Sequence, residues 1–456
     1  MGITTYSNMR TPQTLMDEFS NSSELRKLFA PKTLLRIARG VSFIERQRDL
    51  TASAFLHLCT FFTDAQSYPT HQQMLGELAR VFRIDMAQSS LNERFTPEAA
   101  EFMLAVLVEV GRLEFSSRCG LRGPGTFADI IVGDSSVFNL DAKCADEFAG
   151  FGGGASVAAA KIQLNYGLTS GEAIELSVLE GTKSDGSHRL TNIVQNALYL
   201  NDLGYFCAEN FKAVMQGGAW FVSRYKYGTC LYHTDGRPIM QGALDRLVRM
   251  LKPGQTLDMQ VLLFKEAKIP VRLVLYKLPK EIGDECRRKL RTDKQKKGKD
   301  MSAGRMAFCD VNAYITNLDA EKLPAENIRE VYGLRWQVEI MFKSWKSGLD
   351  LDKVRNIGTQ QFKCMIYGAL IRMLLCVRIF WKAKLVHWKL NKVELSEYKG
   401  IKYLGTCIAK LREWLVTKKR RNATFLGEIW STLVKTCVKD KKKGDITPFE
   451  TIEHYA

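Results

Sequence analysis

The sequence predicts an α/β protein in which a strand-rich core is interrupted by a β-rich segment and flanked by helical regions. Residues 1–120 carry apolar side chains at three- and four-residue spacings, the period of a helix that packs against a core. From residue 127 the chain contains continuous apolar runs typical of buried strands, and from Pro324 the helical pattern returns. We therefore divide the chain into 1–120, 121–355 with a β-rich interruption at about 227–305, and 356–456.

The N-terminal region contains three strongly periodic segments. They are FLHLCTFFTDA, HQQMLGELARVF and TPEAAEFMLAVLVEVGRL. Thr96, followed by Pro97 and Glu98, is a favourable helix start, because threonine caps free N–H groups and proline is tolerated in the first turn. We expect a helix at each segment.

The central region begins with FADIIVGDSSVF, whose apolar run predicts a buried strand. The segments AAKIQLNYGL and EAIELSVLEG are joined by the turn TSGE and predict a hairpin. NALYLND follows, then a helical ENFKAVMQGG and a strand in AWFVSRYK. MQVLLFK and IPVRLVLYKL are strand-like pieces within the β-rich interruption, and AFCDVNAYITNL resumes the strand pattern after it.

The charge balance favours a polyanionic partner. A formal net charge of +17 attracts nucleic acid or anionic lipid. The segment RRKLRTDKQKKGK (287–299) has eight basic residues in thirteen, which favours a solvated, mobile loop or, alternatively, a loop that follows a DNA backbone. The cysteines form no CxxC pair and the histidines lie far apart, which argues against a zinc site and suits a reducing cytosol.

The most membrane-like stretch is CMIYGALIRMLLCVRIFW (364–381). Arg372 and Arg378 interrupt it, so a buried helix fits it better than a membrane span. The N-terminal residues MGITTYSNMRTPQTL lack the apolar core of a secretory signal. We expect a cytoplasmic protein without a membrane partner.

The segment YGLRWQVEIMFKSWK (332–346) carries four polar side chains at regular spacing, namely Tyr332, Arg335, Glu339 and Lys346. In a continuous helix, an advance of about 100° per residue places all four within about 60° of one another. Arg335 and Glu339 alone would be an ordinary i,i+4 ion pair, worth about 0.2–0.5 kcal/mol on a solvated helix. Helical geometry therefore leaves a structural and a functional interpretation open.

Two upstream aspartates favour the functional interpretation. Asp134 follows the apolar run IIVG, and Asp202 follows LYLN. Each alone is more typical of a turn or cap, but with Glu339 they make three acids on two strands and a helix of one core. Mg²⁺ takes oxygen ligands of this kind, and two such ions near one phosphate activate the attacking oxygen and stabilise the leaving one. The basic residues beside Glu339 would then hold the phosphodiester backbone.

These motifs resemble those of the DDE transposases of bacterial insertion sequences, specifically the insertion-sequence-four type. The helix of that family carries the pattern Tyr-(2)-Arg-(3)-Glu-(6)-Lys, which the segment 332–346 matches at every spacing. DIIVGDSSVF resembles the family's first aspartate region, NDLGYF its second, and the segment 159–185 its hairpin. Family members often carry arginine after the second aspartate, where this chain has Leu203. The likeness covers roughly 127–355.

The resemblance implies an RNase H-like catalytic core with a β-rich insertion between the second aspartate and the glutamate. It implies that Asp134, Asp202 and Glu339 are catalytic and bind two Mg²⁺ ions, for which Mn²⁺ substitutes. The DNA-binding residues that it implies are Tyr332, Arg335 and Lys346.

The resemblance further implies cut-and-paste transposition through hairpin-ended DNA by a homodimer bound to transposon ends and target DNA, in the cytoplasm and on the nucleoid. Residues 1–120 would recognise the DNA ends, 356–456 would pair subunits, and an aromatic side chain of the insertion would hold a flipped base. Two alternatives stay open: an RNase H-like nuclease without strand transfer, and a non-catalytic DNA-binding derivative. The second gains nothing from acids placed beside phosphate.

Overall fold

The structure is a computed structural model that describes residues 23–46, 49–62, 68–115, 121, 127–153, 156–184, 189–296, 302–349, 357–416, 422–441 and 446–456. Its strands are β1 (Asp129–Asn139), β2 (Ala159–Gly167), β3 (Ala173–Glu180), β4 (Ala197–Asn201), β5 (Trp220–Arg224), β6 (Leu231–Tyr232), β7 (Pro238–Ile239), β8 (Thr256–Leu263), β9 (Ile269–Lys277) and β10 (Val311–Thr316).

The helices before and between these strands are α1 (Ser23–Leu28), α2 (Pro31–Gly40), α3 (Ala52–Thr60), α4 (His71–Glu77), α5 (Gln88–Asn92), α6 (Pro97–Phe115), α7 (Ala208–Gln216), α8 (Gln241–Met250), α9 (Lys280–Lys296) and α10 (Ala303–Ala307). The helices after β10 are α11 (Ile328–Gly333), α12 (Trp336–Leu349), α13 (Thr359–Asn391), α14 (Glu397–Thr406), α15 (Ile408–Val416), α16 (Asn422–Thr436) and α17 (Pro448–Tyr455).

All ten strands form one mixed sheet in the order β3-β2-β1-β4-β5-β10-β9-β8-β6-β7. The pairs β1–β4 and β4–β5 are parallel, and the other neighbouring pairs are antiparallel. The β-rich segment therefore continues the core sheet, because β10 pairs with β5 on one side and with β9 on the other. It also contains two helices, α8 and α9. The interpretation of 227–305 as an insertion stays a prediction.

The predicted strands and the hairpin β2–β3 are confirmed. Strand β1 does not end at Asp134 but continues to Asn139, close to the end of the predicted segment FADIIVGDSSVF. The reason lies in its two neighbours. Pairing with β4 stops at Gly133, whereas antiparallel pairing with β2 persists to the end of the strand. Asp134 therefore lies within a strand, at the point where one neighbour departs.

The expectation of a loop over 287–299 is wrong for its described part, which belongs to helix α9; residues 297–299 lie outside the described residues. Ion pairs along the helix offset part of the repulsion between its basic residues, because Arg287 contacts Asp284 and Lys289 contacts Glu285. Its inner side carries Leu290, which lines a cleft beside β10.

Helix α13 is the centre of the helical layer. It is the one helix in the described ranges that is long and apolar enough to cross a membrane, but it is packed inside the protein, which confirms the buried helix expected for 364–381. Gly368 touches α3 so closely that a Cβ there would lie 2.1 Å from the carbonyl oxygen of Cys59. Arg372 donates a hydrogen bond to the carbonyl of Thr60. The N- and C-terminal helices thus share an apolar core with one face of the sheet.

Candidate active site

The two aspartates lie side by side at one level of the sheet. In the parallel pair β1–β4, Gly133 is the register partner of Asn201, and Asp134 and Asp202 are the next residues on the two chains. Beyond this point β4 ends, and the chain enters a short 3₁₀ turn, Leu203–Tyr205. The departure of β4 opens the sheet beside Asp134, which leaves room for the helical segment that follows β10.

The segment with the four polar residues is two helices and not the single helix that its spacing predicts. Helix α11 ends at Gly333 and α12 begins at Trp336. The junction is a tight turn in which the Arg335 N–H donates to the carbonyl of Tyr332 at 3.1 Å. Glycine is a poor helix former, which explains why the helix ends there. The functional side chains still point to one side, because each of them contacts the β1–β4 region or a neighbour that does so.

Arg335 links the acid of the helix to an acid of the sheet. Its Nη2 donates to Glu339 Oε1 at 2.5 Å, and its Nη1 lies 3.7 Å from Asp134 Oδ2. The Arg335 side chain is only 13% exposed, so this contact is not the solvated surface pair that the spacing alone allows. A guanidinium thus lies between two of the three predicted metal ligands.

The charges of the site shift two pKa values. The pKa of Asp134 is raised from 3.8 to about 6, chiefly by burial and in smaller part by the charges of Asp202 and Glu339, against the lowering effects of the Ser135 N–H and Arg335. Burial disfavours the charged form of Arg335, but its hydrogen bond to Glu339 and the nearby acids offset this and raise its pKa. The charges of the three acids and of Arg335 therefore act on one another, and the pKa of Asp134 is raised as a result of its burial among them.

Tyr332 and Lys346 contact the two strands on either side of the acids. The Tyr332 hydroxyl donates to the carbonyl of Asn201 at 3.3 Å, and burial raises the pKa of Tyr332 to about 12, so it stays a neutral donor. The Lys346 amine lies 3.4 Å from the carbonyl of Val137, farther along β1. The four residues of the helical motif therefore extend over the site from β4 to β1.

Sequence reasoning missed Arg224. It ends β5, and its charge acts on Tyr332, so it lies close to the same site. Arg224 directly follows Ser223, the last residue of β5 that pairs with β4, just as Asp202 directly follows the partner residue Asn201. A charged residue that directly follows the apolar run WFVS is the same signal that identified the two aspartates.

The donor chemistry of the three acids fits a divalent cation. Carboxylate oxygens are the ligands that Mg²⁺ and Mn²⁺ prefer. As the side chains are placed in the described part of the chain, no group of three or more His, Cys, Asp or Glu is arranged to hold a metal ion. Instead, the Arg335 guanidinium is the cation that meets Asp134 and Glu339. Asp134 and Glu339 therefore already contact a positively charged group in this structure.

Comparison with known proteins identifies the family. Residues 125–375 match the family model described as the transposase DDE domain. The chain is 27% identical over 442 residues to the transposase for insertion sequence element IS231B of Bacillus thuringiensis subsp. berliner, which covers 93% of this chain and 92% of the relative. It is 26% identical over 451 residues to the transposase for IS1151 of Clostridium perfringens, covering 95% of each. A putative transposase of Escherichia coli, InsL for IS186A, is 30% identical over 105 residues, which is 23% of this chain and 28% of the relative. Since the matched domain covers more than half of the sequence, the chain belongs to the DDE transposase family, whose members are enzymes that act on DNA.

Proposed function

We propose that the protein is a cut-and-paste transposase of the insertion-sequence-four type and that Asp134, Asp202 and Glu339 are its catalytic acids. The observation that carries this proposal is the β1–β4 register, which sets the two aspartates beside each other and opposite the α11–α12 junction. The bridge from Arg335 to Asp134 and Glu339 supports it. The relatives named as transposases for IS231B and IS1151 span more than nine-tenths of this chain, which supports the same activity.

The three acids are our proposed ligands for two Mg²⁺ ions, for which Mn²⁺ substitutes. When bound, such ions increase the nucleophilicity of the attacking oxygen and stabilise charge on the leaving oxygen. Asp134 lies in β1, Asp202 directly follows the end of β4, and Glu339 lies in the first turn of α12. Arg335 neutralises carboxylate charge in this structure, and the same guanidinium is suited to a bidentate contact with phosphate.

The proposed reaction has four in-line phosphoryl transfers at one site. Water first nicks the DNA at the end of the element, which frees a 3′-hydroxyl. That hydroxyl attacks the opposite strand and forms a hairpin, water reopens the hairpin, and the same hydroxyl then attacks target DNA. Tyr332, Arg335 and Lys346 hold phosphates close to the transferred group, because they surround the acids from β4 to β1. One set of residues therefore serves each step.

A cleft beside the acids is our proposed site for the flipped base. It has a volume of about 380 Å³ and is lined by Arg224, by Leu203 next to Asp202, and by aromatic and basic side chains of the segment 225–309. Tyr227 and Phe308 pack edge to face in it, with ring centroids 4.8 Å apart. A nucleobase stacks on rings of this kind, and such contacts are worth about 1–3 kcal/mol per base.

The flanking regions are our proposed DNA-end and dimer elements. Helix α2, in the proposed end-binding region 1–120, exposes Lys32, Arg36 and Arg39, a distribution suited to phosphate contacts. The region 356–456 is our proposed dimerisation element, and the partners are two transposon ends and target DNA on the nucleoid. The family relationship supports these roles, and the charge of +17 supports DNA as the partner.

Replacing Glu339 by Gln tests the site. We expect Glu339→Gln to lose DNA strand cleavage at least a hundredfold while retaining end-bearing DNA in a gel within about twofold, since the metal-binding charge is removed but the helix stays in place. Glu326→Gln, an exposed exchange shortly before α11, is the matched control and should cleave normally. Full cleavage by Glu339→Gln would refute the assignment.

The products formed by the unmodified protein decide between the functions. Incubation with end-bearing duplex and Mg²⁺ should yield hairpin ends and integrated strands on a denaturing gel. Nicks without hairpins or integration would instead indicate a nuclease without strand transfer. Retention of DNA without any cleavage would indicate a non-catalytic derivative.

A further inference from the structure

A row of polar residues crosses the sheet one position before the two aspartates. Cross-strand register aligns Glu175 on β3, Asn165 on β2, Gly133 on β1, Asn201 on β4 and Ser223 on β5. We call these five residues the polar row. Asn165 and Ser223 are only 2% and 3% exposed, so much of the row is buried in the sheet.

The row contrasts with its surroundings on the same face. Two residues earlier, the aligned positions are Ile131, Tyr199 and Phe221, which belong to an apolar cluster. Polar groups buried beside such a cluster lower stability unless each finds a partner. The row is therefore unlike the packing of the strands that carry it, and it coincides with the level of the acids.

The contacts of the row converge on Gly133. The side-chain Nδ2 of Asn165 donates to Glu175 Oε2 at 2.9 Å, and the main-chain carbonyl of Asn201 accepts a hydrogen bond from the Tyr332 hydroxyl. The amide oxygens of Asn165 and Asn201 both face Gly133, where a Cβ would lie 2.4 Å and 2.6 Å from them. Among the described residues neither amide oxygen accepts a hydrogen bond. The two side chains thus fill the space that any residue other than glycine would need.

We propose that the polar row is a positioning device that locks β1 in register with β2 and β4 and so keeps Asp134 beside Asp202. The inference rests on the proposed catalytic role of these aspartates. The apolar runs IIV of β1 and LYL of β4 are buried on both faces, so a slip by two residues would still set apolar side chains against one another. A slip by two residues would move Asp202 by about 6.6 Å along β1. Any such slip would set Asn201 against an apolar side chain instead of against Gly133.

The row acts on activity more than on stability, because its amide oxygens are buried without partners. Exchange of Asn201 or Asn165 for leucine, which has nearly the same shape, removes the polar mismatch that penalises wrong registers. Asn201→Leu adds apolar contact without removing a side-chain hydrogen bond within the described part of the chain, whereas Asn165→Leu also removes the bond that Asn165 Nδ2 donates to Glu175 Oε2. A leucine variant that folds normally but cleaves DNA slowly would therefore indicate that the row positions the aspartates and does not merely stabilise the fold.

Asn201→Leu and Asn165→Leu test the proposal. We expect Asn201→Leu to keep or raise its Tm, measured without metal or DNA, and both variants to bind end-bearing DNA as the unmodified protein does. Strand cleavage should fall at least tenfold, with a higher Mn²⁺ concentration needed for half-maximal rate. Ser177→Ala is the control, since its buried hydroxyl belongs to β3 and lies outside the row. It should leave cleavage unchanged.

Gly133→Ala adds a second test that uses the crowding directly. It should lower cleavage, because the new Cβ would lie within 2.6 Å of the amide oxygens of both Asn165 and Asn201. Normal cleavage and normal Mn²⁺ dependence in both leucine variants would overturn the proposal. So would a fall in Tm with unaltered cleavage per folded molecule. Full cleavage by Asp134→Asn would instead overturn the proposed function itself.

Discussion

Replacing Asp134 by Asn should stabilise the metal-free protein while abolishing strand cleavage. Burial raises the pKa of Asp134 from 3.8 to about 6, so the folded state binds its proton more tightly than the unfolded chain does. The unmodified protein consequently loses stability as pH rises through the window from about 4 to about 6. At 1.36 kcal/mol per pKa unit, the loss amounts to about 3 kcal/mol above this window.

Asparagine does not titrate, so Asp134→Asn escapes this loss, and Arg335 keeps Glu339 as its ionic partner. Urea unfolding in EDTA without DNA measures the effect. We expect the unfolding free energy of Asp134→Asn to exceed that of the unmodified protein by up to about 3 kcal/mol at pH 7.5 and by about half as much at pH 5. Asp146→Asn, at an exposed position farther along the chain, is the control and should change neither value. The reasoning would be refuted if Asp134→Asn were less stable than the unmodified protein, or if the difference between their unfolding free energies did not depend on pH.

Three further predictions address the surroundings of the site. Burial and the charge of Asp129 raise the pKa of Glu172 to about 7, so the unmodified protein should lose stability as pH rises from about 4.5 to 7. The Tm of Glu172→Gln should therefore exceed that of the unmodified protein by an amount that grows over the same pH range. Lys346→Ala should slow cleavage about tenfold or more and weaken its dependence on salt, because one phosphate contact is lost; an unchanged rate would remove Lys346 from the site. Tyr227→Ala should slow hairpin formation while the first nick proceeds normally, as resolved on a denaturing gel; equal slowing of both steps would argue against a base-holding role.

The strands were predictable because their signal is local. The apolar run before Asp134, the turn TSGE of the hairpin and the strand-like pieces in β8 and β9 can each be recognised from one short segment. The four polar residues of 332–346 were found for the same reason, since their spacing alone brings them to one side. The break between Gly333 and Trp336 was missed because a helical period continues through a tight turn with little change of direction.

The features that sequence reasoning could not supply depend on contacts between distant segments. One such feature is the departure of β4 beside Asp134 while β2 continues to pair with β1. The helical state of the basic segment after Lys280 depends on ion pairs and on a cleft formed with β10. Likewise, Arg335 between Asp134 and Glu339 is a tertiary placement, because the i,i+4 spacing specifies only one of its two partners.

Anomalous diffraction from crystals grown with Mn²⁺ and transposon-end DNA is the most direct test of a metal site shared by acids from two strands and a helix. We expect Mn²⁺ peaks in contact with carboxylate oxygens of Asp134, Asp202 and Glu339, with Arg335 displaced from Asp134 toward a DNA phosphate. Peaks only elsewhere in the protein, with Arg335 still bridging Asp134 and Glu339, would contradict the assignment of these acids as metal ligands.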